Sequence, residues 1–216
     1  MRLILIRHGQ TPDNVEGILG STIPGPALTD LGHEQAAAIP AALASETIDA
    51  IWISTMQRTG LTAAPLAEAT GITPRVNDGF REIGSGEFEG RSDKDAVRGY
   101  MGTIISWWQD SAARIPGGES GDEFFARFTS AIALAVADHD TVVVFSHGAA
   151  IRTWASAISR NIDEAFSRSH DLPNTAMIVM EGSPIDGWVT TQWHGEPVGG
   201  AELEDAVALD PTGEAD

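Results

Sequence analysis

Three short apolar runs are each followed at once by polar residues able to do chemistry. Arg7-His8-Gly9 follows Leu3-Ile4-Leu5-Ile6, Ser54 through Arg58 follows Ala50-Ile51-Trp52-Ile53, and Ser146-His147-Gly148 follows Val142-Val143-Val144-Phe145. A neutral imidazole is a competent nucleophile near pH 7 without a metal or an activated thiol. Arginine adds a fixed fork of donors that matches the non-bridging oxygens of a phosphate. One loop histidine or arginine alone is ordinarily a surface group; two of each, recurring after apolar runs, point to phosphoryl transfer. The chain has no cysteine, which removes disulfides, thiolate metal sites and every cysteine-nucleophile mechanism. None of the six histidines has metal-ligand spacing, and His33, His139, His170 and His194 have no motif context, so they read as structural or surface residues. No metal and no cofactor is called for.

The apolar runs read as buried strands. They are continuous rather than alternating, which suits a central sheet covered on both faces. The expected architecture is an α/β three-layer sandwich with a mostly parallel central sheet and helices on both faces. Helices are expected from near Thr29, where Thr29 is the N-cap, from about Thr55 to Ala69, from about Gly121 to Ala137, and from Gly148 to Ser159. Pro40 should kink or end the first of them. Pro74 to Asn77, Ala176 to Met180 and Trp188 to Trp193 complete the strands, the last two as a hairpin or edge pair. In open α/β sheets ligands bind where strands end and helices begin, because unpaired backbone N–H groups and the helix dipole favour an anion there.

Leu5-Ile6-Arg7-His8-Gly9-Gln10-Thr11 followed by Asn14 resembles the opening motif of the histidine phosphatase, or phosphoglycerate mutase-like, superfamily. Further segments are similar in the same order: Leu28-Thr29 with Gly32, Gln35 and Ala36; Ser54 with Arg58, Thr62 and Ala63; Phe80-Arg81-Glu82-Ile83 with Gly86, Glu89 and Gly90; Gly117-Gly118-Glu119-Ser120; and Ser146-His147-Gly148 with Ile151-Arg152. The resemblance covers about residue 2 to residue 180. It implies that His8 is the nucleophile of a phosphohistidine intermediate, that Arg7, Arg58 and His147 hold the phosphoryl oxygens, and that Asn14 and the backbone amide of Gly148 add donors. It also implies that Glu82 is the acid for the leaving oxygen, its pKa raised by a dianionic substrate. Residue types alone leave Glu82, Glu87 and Glu89 open for that role, the latter two reading more simply as solvated loop charges. Arg152 reads as a helix partner and Pro173-Asn174-Thr175 as a turn.

At 216 residues the chain suits one domain, residues 1–196, followed by an acidic tail, 197–216. The stretch after Glu196 carries Glu202, Glu204, Asp205, Asp210, Glu214 and Asp216 with no Lys or Arg, and its simplest form is a solvated tail. A formal charge of −18 repels nucleic acid and anionic membranes, so an anionic substrate must be drawn by a local cluster among the 13 Lys and Arg. No apolar stretch reaches the length of a signal core or a membrane span. The default is a cytoplasmic protein acting on a small-molecule phosphomonoester, with homodimer formation left open.

Three functions compete: a metal-independent phosphomonoester hydrolase, a cofactor-dependent phosphoglycerate mutase, and a non-catalytic phosphate-binding module. The last has no need of a nucleophile, a second histidine, two arginines and an acid together. Cofactor-dependent mutases usually carry a long basic and aromatic insertion between Arg91 and Gly118, and here the segment is short. A looser cover lets water compete for the phosphohistidine, so hydrolysis is favoured. Within this segment Trp107 and Trp108 serve either a leaving-group pocket or a helix that packs one Trp into the core.

Overall fold

The computed structural model describes residues 1–213; Glu214 and Asp216 of the acidic stretch lie outside the described residues. Six strands form one sheet: β1 (Arg2–Arg7), β2 (Ala50–Ile53), β3 (Arg75–Val76), β4 (Thr141–Ser146), β5 (Met177–Ser183) and β6 (Gly187–Trp193), in the order β3-β2-β4-β1-β5-β6. The first four are parallel to one another; β5 runs antiparallel to β1 and pairs with β6 as a hairpin. The helices are α1 (Pro12–Glu16), α2 (Asp30–Ala42), α3 (Gln57–Thr70), α4 (Lys94–Ser106), α5 (Gly121–Val136), α6 (Gly148–Ile158) and α7 (Glu164–Arg168). The fold is therefore the mostly parallel α/β sandwich expected from the continuous apolar runs.

Strand periodicity explains those runs. Leu3, Leu5, Val142 and Val144 enter one core with Phe80, Phe124, Phe128 and Trp154. Ile4, Ile6, Val143 and Phe145 point the other way, into a second core with Ile39, Leu43, Ala63 and Leu66. Successive side chains of a strand face opposite sides, so a sheet packed on both faces needs an apolar residue at every position. Each such side chain contributes roughly 1.5–3 kcal/mol by burial.

Helix ends follow local chemistry. The Thr29 side chain accepts from Gly32 N–H at the start of α2, and a Ser120–Glu123 capping box opens α5. Pro40 does not end α2 at once; the helix runs two residues past it and stops at Ala42, so the break that proline imposes falls just beyond it. The sequence missed α1, which Thr11 and Asn14 cap reciprocally; α4, which Asp93 caps and which buries Ala96, Tyr100 and Ile104, is the helix weighed as the alternative for the Trp107-Trp108 segment.

The two tryptophans at the end of α4 part ways. Trp107 is buried, stacks on Phe124 and donates from Nε1 to Ala113 O at 2.9 Å, whereas Trp108 is 38% exposed. Neither lines the cavity beside His8. Trp107→Ala is expected to cost about 3–5 kcal/mol of unfolding free energy, and Trp108→Ala less than about 0.5 kcal/mol, compared by urea denaturation of the two variants.

Candidate active site

The sheet brings the two histidines together. Strands β1 and β4 are adjacent, with Arg7 paired to Ser146 in the parallel register, so the next residue of each strand, His8 and His147, emerges at the same carboxyl edge. Their ring centroids lie 5.2 Å apart. The loop after β1 is held from several sides. His8 N–H donates to Ser146 O at 3.0 Å, its carbonyl accepts from Asn174 Nδ2 at 3.0 Å, and Gly9 N–H donates to Thr62 Oγ1 at 2.9 Å. A Cβ at Gly9 would come 2.6 Å from Gly32 O and one at Gly32 would come 2.2 Å from Gln10 O. These glycines let the start of α2 lie directly against the His8 loop.

The His8 ring is fixed by its own backbone: Nδ1 lies 2.8 Å from Gly9 O. A carbonyl can only accept, so Nδ1 carries the proton and Nε2 keeps its lone pair. Burial, reinforced by Arg58 and Arg7, holds the His8 pKa well below the usual imidazole range. His147 is held low in the same way, by burial, Arg58 and His8. Its Nδ1 accepts from Arg58 Nε at 3.2 Å, which puts the ring proton on Nε2, 2.8 Å from Ser54 Oγ.

Both buried histidines stay neutral where the unfolded chain, with an ordinary value of 6.5, takes up protons. More protons bound to the unfolded state means that stability rises with pH. The contribution of His8 is therefore present above pH 6.5 and lost on acidification, by at most about 1.4 kcal/mol per pH unit. The test is the urea midpoint of wild type minus that of His8→Gln between pH 7.5 and 5.5: the difference should shrink on acidification, and a constant difference contradicts the assignment.

Arg58 lies in the first turn of α3, Glu82 after the 3-10 turn Asp78–Phe80, and both are buried. With His8 and Asn14 they line one cavity. The Glu82 carboxylate accepts from Ile83 N–H and Ala150 N–H, each at 2.8 Å, and from Ala149 N–H at 3.2 Å, and so sits on the N-terminus of α6 that Gly148 opens. Burial pushes its pKa up, and these donors with Arg58 and Arg7 oppose the shift without cancelling it. The rise thus exists without a dianionic substrate. Arg127 donates to Gly79 O, Arg81 O and Glu82 O and pairs with Glu119 at 2.7 Å, bracing the backbone that carries Glu82.

Arg7 and Asn14 are also at this edge, yet both are bound by the C-terminal segment. Arg7 pairs with Asp210 at 2.6 Å and donates to Leu172 O, and Asn14 Nδ2 lies 3.2 Å from Asp210 Oδ1. The described part of the acidic stretch is consequently docked rather than solvated, because Asp210 meets a buried cation there. Glu87 is exposed as expected, whereas Glu89 accepts from Ser21 and Thr22 N–H and orders that loop. Arg152 donates to Ser167 O. Asn174 exceeds its turn role, since it bridges His8 O and Asn14 Oδ1. The remaining histidines do not line the cavity.

The sheet order and helical layers define a phosphoglycerate mutase-like α/β sandwich. The mycobacterial glucosyl-3-phosphoglycerate phosphatase, solved in complex with VO3, superposes with a TM-score of 0.75 at 27% identity over 89% of this chain and 98% of that one. The chain belongs to the histidine phosphatase superfamily, branch 1, whose family model matches residues 3–194. Among curated relatives, glucosyl-3-phosphoglycerate phosphatase of Mycobacterium tuberculosis (strain CDC 1551 / Oshkosh) is 31% identical over 170 residues, 73% of this chain and 74% of that protein. Probable phosphoglycerate mutase GpmB of Enterobacter sp. (strain 638) is 30% identical over 217 residues, 97% of this chain and 98% of that protein. The PE-PGRS family protein PE_PGRS11 of Mycobacterium tuberculosis (strain ATCC 25618 / H37Rv) is 34% identical over 223 residues; that match spans 95% of this chain and 38% of that longer protein. No helix among the described residues is long and apolar enough to cross a membrane.

Proposed function

We propose that the protein is a metal-independent phosphomonoester hydrolase working through a phosphohistidine on His8. The observation that carries this is the His8 ring itself: neutral by burial, locked through Nδ1 to Gly9 O, and lining one cavity with Arg58 and Glu82. Nε2 attacks phosphorus in line, the bond from phosphorus to the leaving oxygen breaks, and protonated Glu82 delivers its proton to that oxygen. The Glu82 carboxylate then takes a proton from water as the water oxygen attacks phosphorus. The phosphorus–nitrogen bond breaks, inorganic phosphate leaves, and both side chains return to their starting states. Arg7, Arg58, His147, Asn14 and the Gly148 amide are assigned to the phosphoryl oxygens, where charge builds as the transition state forms.

Arg58 is the assigned cation that already lines the cavity. Arg58→Ala is expected to lower kcat by about 10²–10³-fold and to raise KM, read by steady-state phosphate release. Loss of Arg58 also removes the donor to His147 Nδ1 and with it one of the two hydrogen bonds that fix that ring.

The compactness of the segment between Arg91 and Gly118 supports water as the acceptor. Its helix α4 is committed to the core through Ala96, Tyr100 and Ile104, and Tyr100 Oη donates to Ile83 O. The GpmB relative keeps the mutase as the second reading. A panel of sugar phosphates, phosphoglycerates, nucleotides and glucosyl-3-phosphoglycerate, assayed for phosphate release in EDTA with and without 2,3-bisphosphoglycerate, decides between them. Release from one or more esters is expected; interconversion of phosphoglycerates without net release establishes the mutase, and loss of activity in EDTA removes the metal-independent mechanism.

A further inference from the structure

The tail contacts at Arg7 are made with the groups that a phosphate would use. Asp210 Oδ2 lies 2.6 Å from Arg7 Nη1 and Oδ1 lies 2.7 Å from Nη2, a two-pronged match of carboxylate to guanidinium. Oδ1 also takes Asn14 Nδ2 at 3.2 Å. Two carboxylate oxygens in an arginine fork present the same acceptor pattern as two oxygens of a phosphate. Thr212 adds its hydroxyl to Arg7 Nη2 at 3.1 Å and forms part of the wall of the His8 cavity. Its carbonyl packs so closely on Gly148 that a Cβ there would come within 2.7 Å, so the tail covers the start of α6 as well. What is left beside His8 is about 20 Å³, enough for a water but not for a phosphate.

We propose that the segment 205–213 is an intramolecular plug of the phosphoryl site, with the Asp210 carboxylate standing in for two phosphate oxygens until a phosphate or phosphomonoester displaces it. This rests on the phosphoryl assignment of the His8 cavity. The way the segment is held suits displacement. Val207 and Leu209 are 86% and 67% exposed, so its large apolar side chains contribute little to docking. The attachments are polar: the Arg7 pair, Gln10 Nε2 to Asp205 Oδ2 at 2.9 Å, and Leu172 N–H to Gly213 O at 2.8 Å. A dianion competes directly for the strongest of these, the arginine fork. Arg7 Nε is buried with no hydrogen-bond partner among the described residues, so an incoming phosphoryl group finds one more donor there than the plug uses.

Binding to a site that is open only part of the time is weakened by the open fraction, so a plug in place nine times in ten costs about tenfold in affinity. Titration calorimetry of inorganic phosphate into the full-length wild type and Asp210→Asn is expected to show about tenfold tighter binding to the variant, with KM for p-nitrophenyl phosphate lowered in step. Equal or weaker binding by a folded Asp210→Asn overturns the plug and makes Asp210 a structural or substrate-binding partner of Arg7. Because removing the carboxylate leaves Arg7 buried without its counter-ion, a second measurement uses the wild type alone. Saturating phosphate should accelerate amide hydrogen exchange at Leu172 and Leu209; unchanged or slower exchange there overturns the proposal. If neither form binds phosphate and neither hydrolyses any ester, the phosphoryl assignment fails and the plug with it. If the wild type turns over while Asp210→Asn gains nothing, the plug alone fails.

Discussion

His8→Ala is expected to lower kcat by about 10⁴-fold or more and to abolish acid-labile phosphate on the protein. The size follows from the absence of a substitute nucleophile. The neighbouring histidine, His147, has its Nδ1 lone pair occupied by Arg58 Nε–H and its Nε2 proton directed at Ser54. Water could attack the ester directly, but it would then lack an imidazole held in place by Gly9 O on a backbone tied to Ser146 O. The variant should keep its fold, because the ring lies at a cavity wall and the loop is anchored by backbone contacts that alanine retains. Quench-flow labelling with a radioactive phosphomonoester checks the prediction, and full activity or undiminished labelling in His8→Ala removes His8 from the mechanism.

Glu82→Gln is expected to slow phosphorylation of His8 from an alkyl phosphate by about 10²–10⁴-fold in single-turnover experiments. The loss should be much smaller with p-nitrophenyl phosphate, whose leaving group departs without a proton. The sign of the pH effect is set by the raised pKa: burial makes the carboxyl keep its proton above the ordinary 4.5, so the acid form persists to higher pH and is lost as pH climbs through the folded-state value. Wild type should accordingly show a basic limb in its phosphorylation rate that the glutamine variant lacks. Equal losses for both esters with an unchanged pH profile would leave Glu82 as a structural cap of α6, a role its three backbone contacts could also fill.

Why the sequence told so much about this site is clear from His8, His147 and Arg58. Each follows an apolar strand run, and in a parallel sheet covered on both sides such runs are uninterrupted, so strand ends are visible as the first polar residue. Glu82 is different, because it follows a 3-10 turn that has no periodicity, and residue types alone left it level with Glu87 and Glu89. Asn174 looks like a turn residue in sequence because its amide acts through the backbone of His8, a partner 166 positions away. Arg127 braces the acidic loop from the middle of α5, where it looks like any solvent-facing helical cation. The tail reads as solvated because it carries only acidic charge with no Lys or Arg, whereas its docking rests on polar contacts led by one buried arginine. Composition reports the sum of charges; it does not report that a single cation at the base of a cleft can reverse the sign locally.

The separation of the two histidine backbones has a cause that no side chain controls. Parallel neighbours lie about 4.8 Å apart, and His8 and His147 are the first residues beyond a matched pair on β1 and β4, so their spacing is one rung of the peptide lattice. It is quantised: shifting it means slipping a strand by whole residues, which would turn Ile4 and Ile6 into the opposite core. Attempts to retool this scaffold for a different leaving group therefore have a fixed reaction centre and one adjustable wall, the docked tail. That wall carries no histidine, whereas α4 is tied into the core and to Ile83 O beside Glu82.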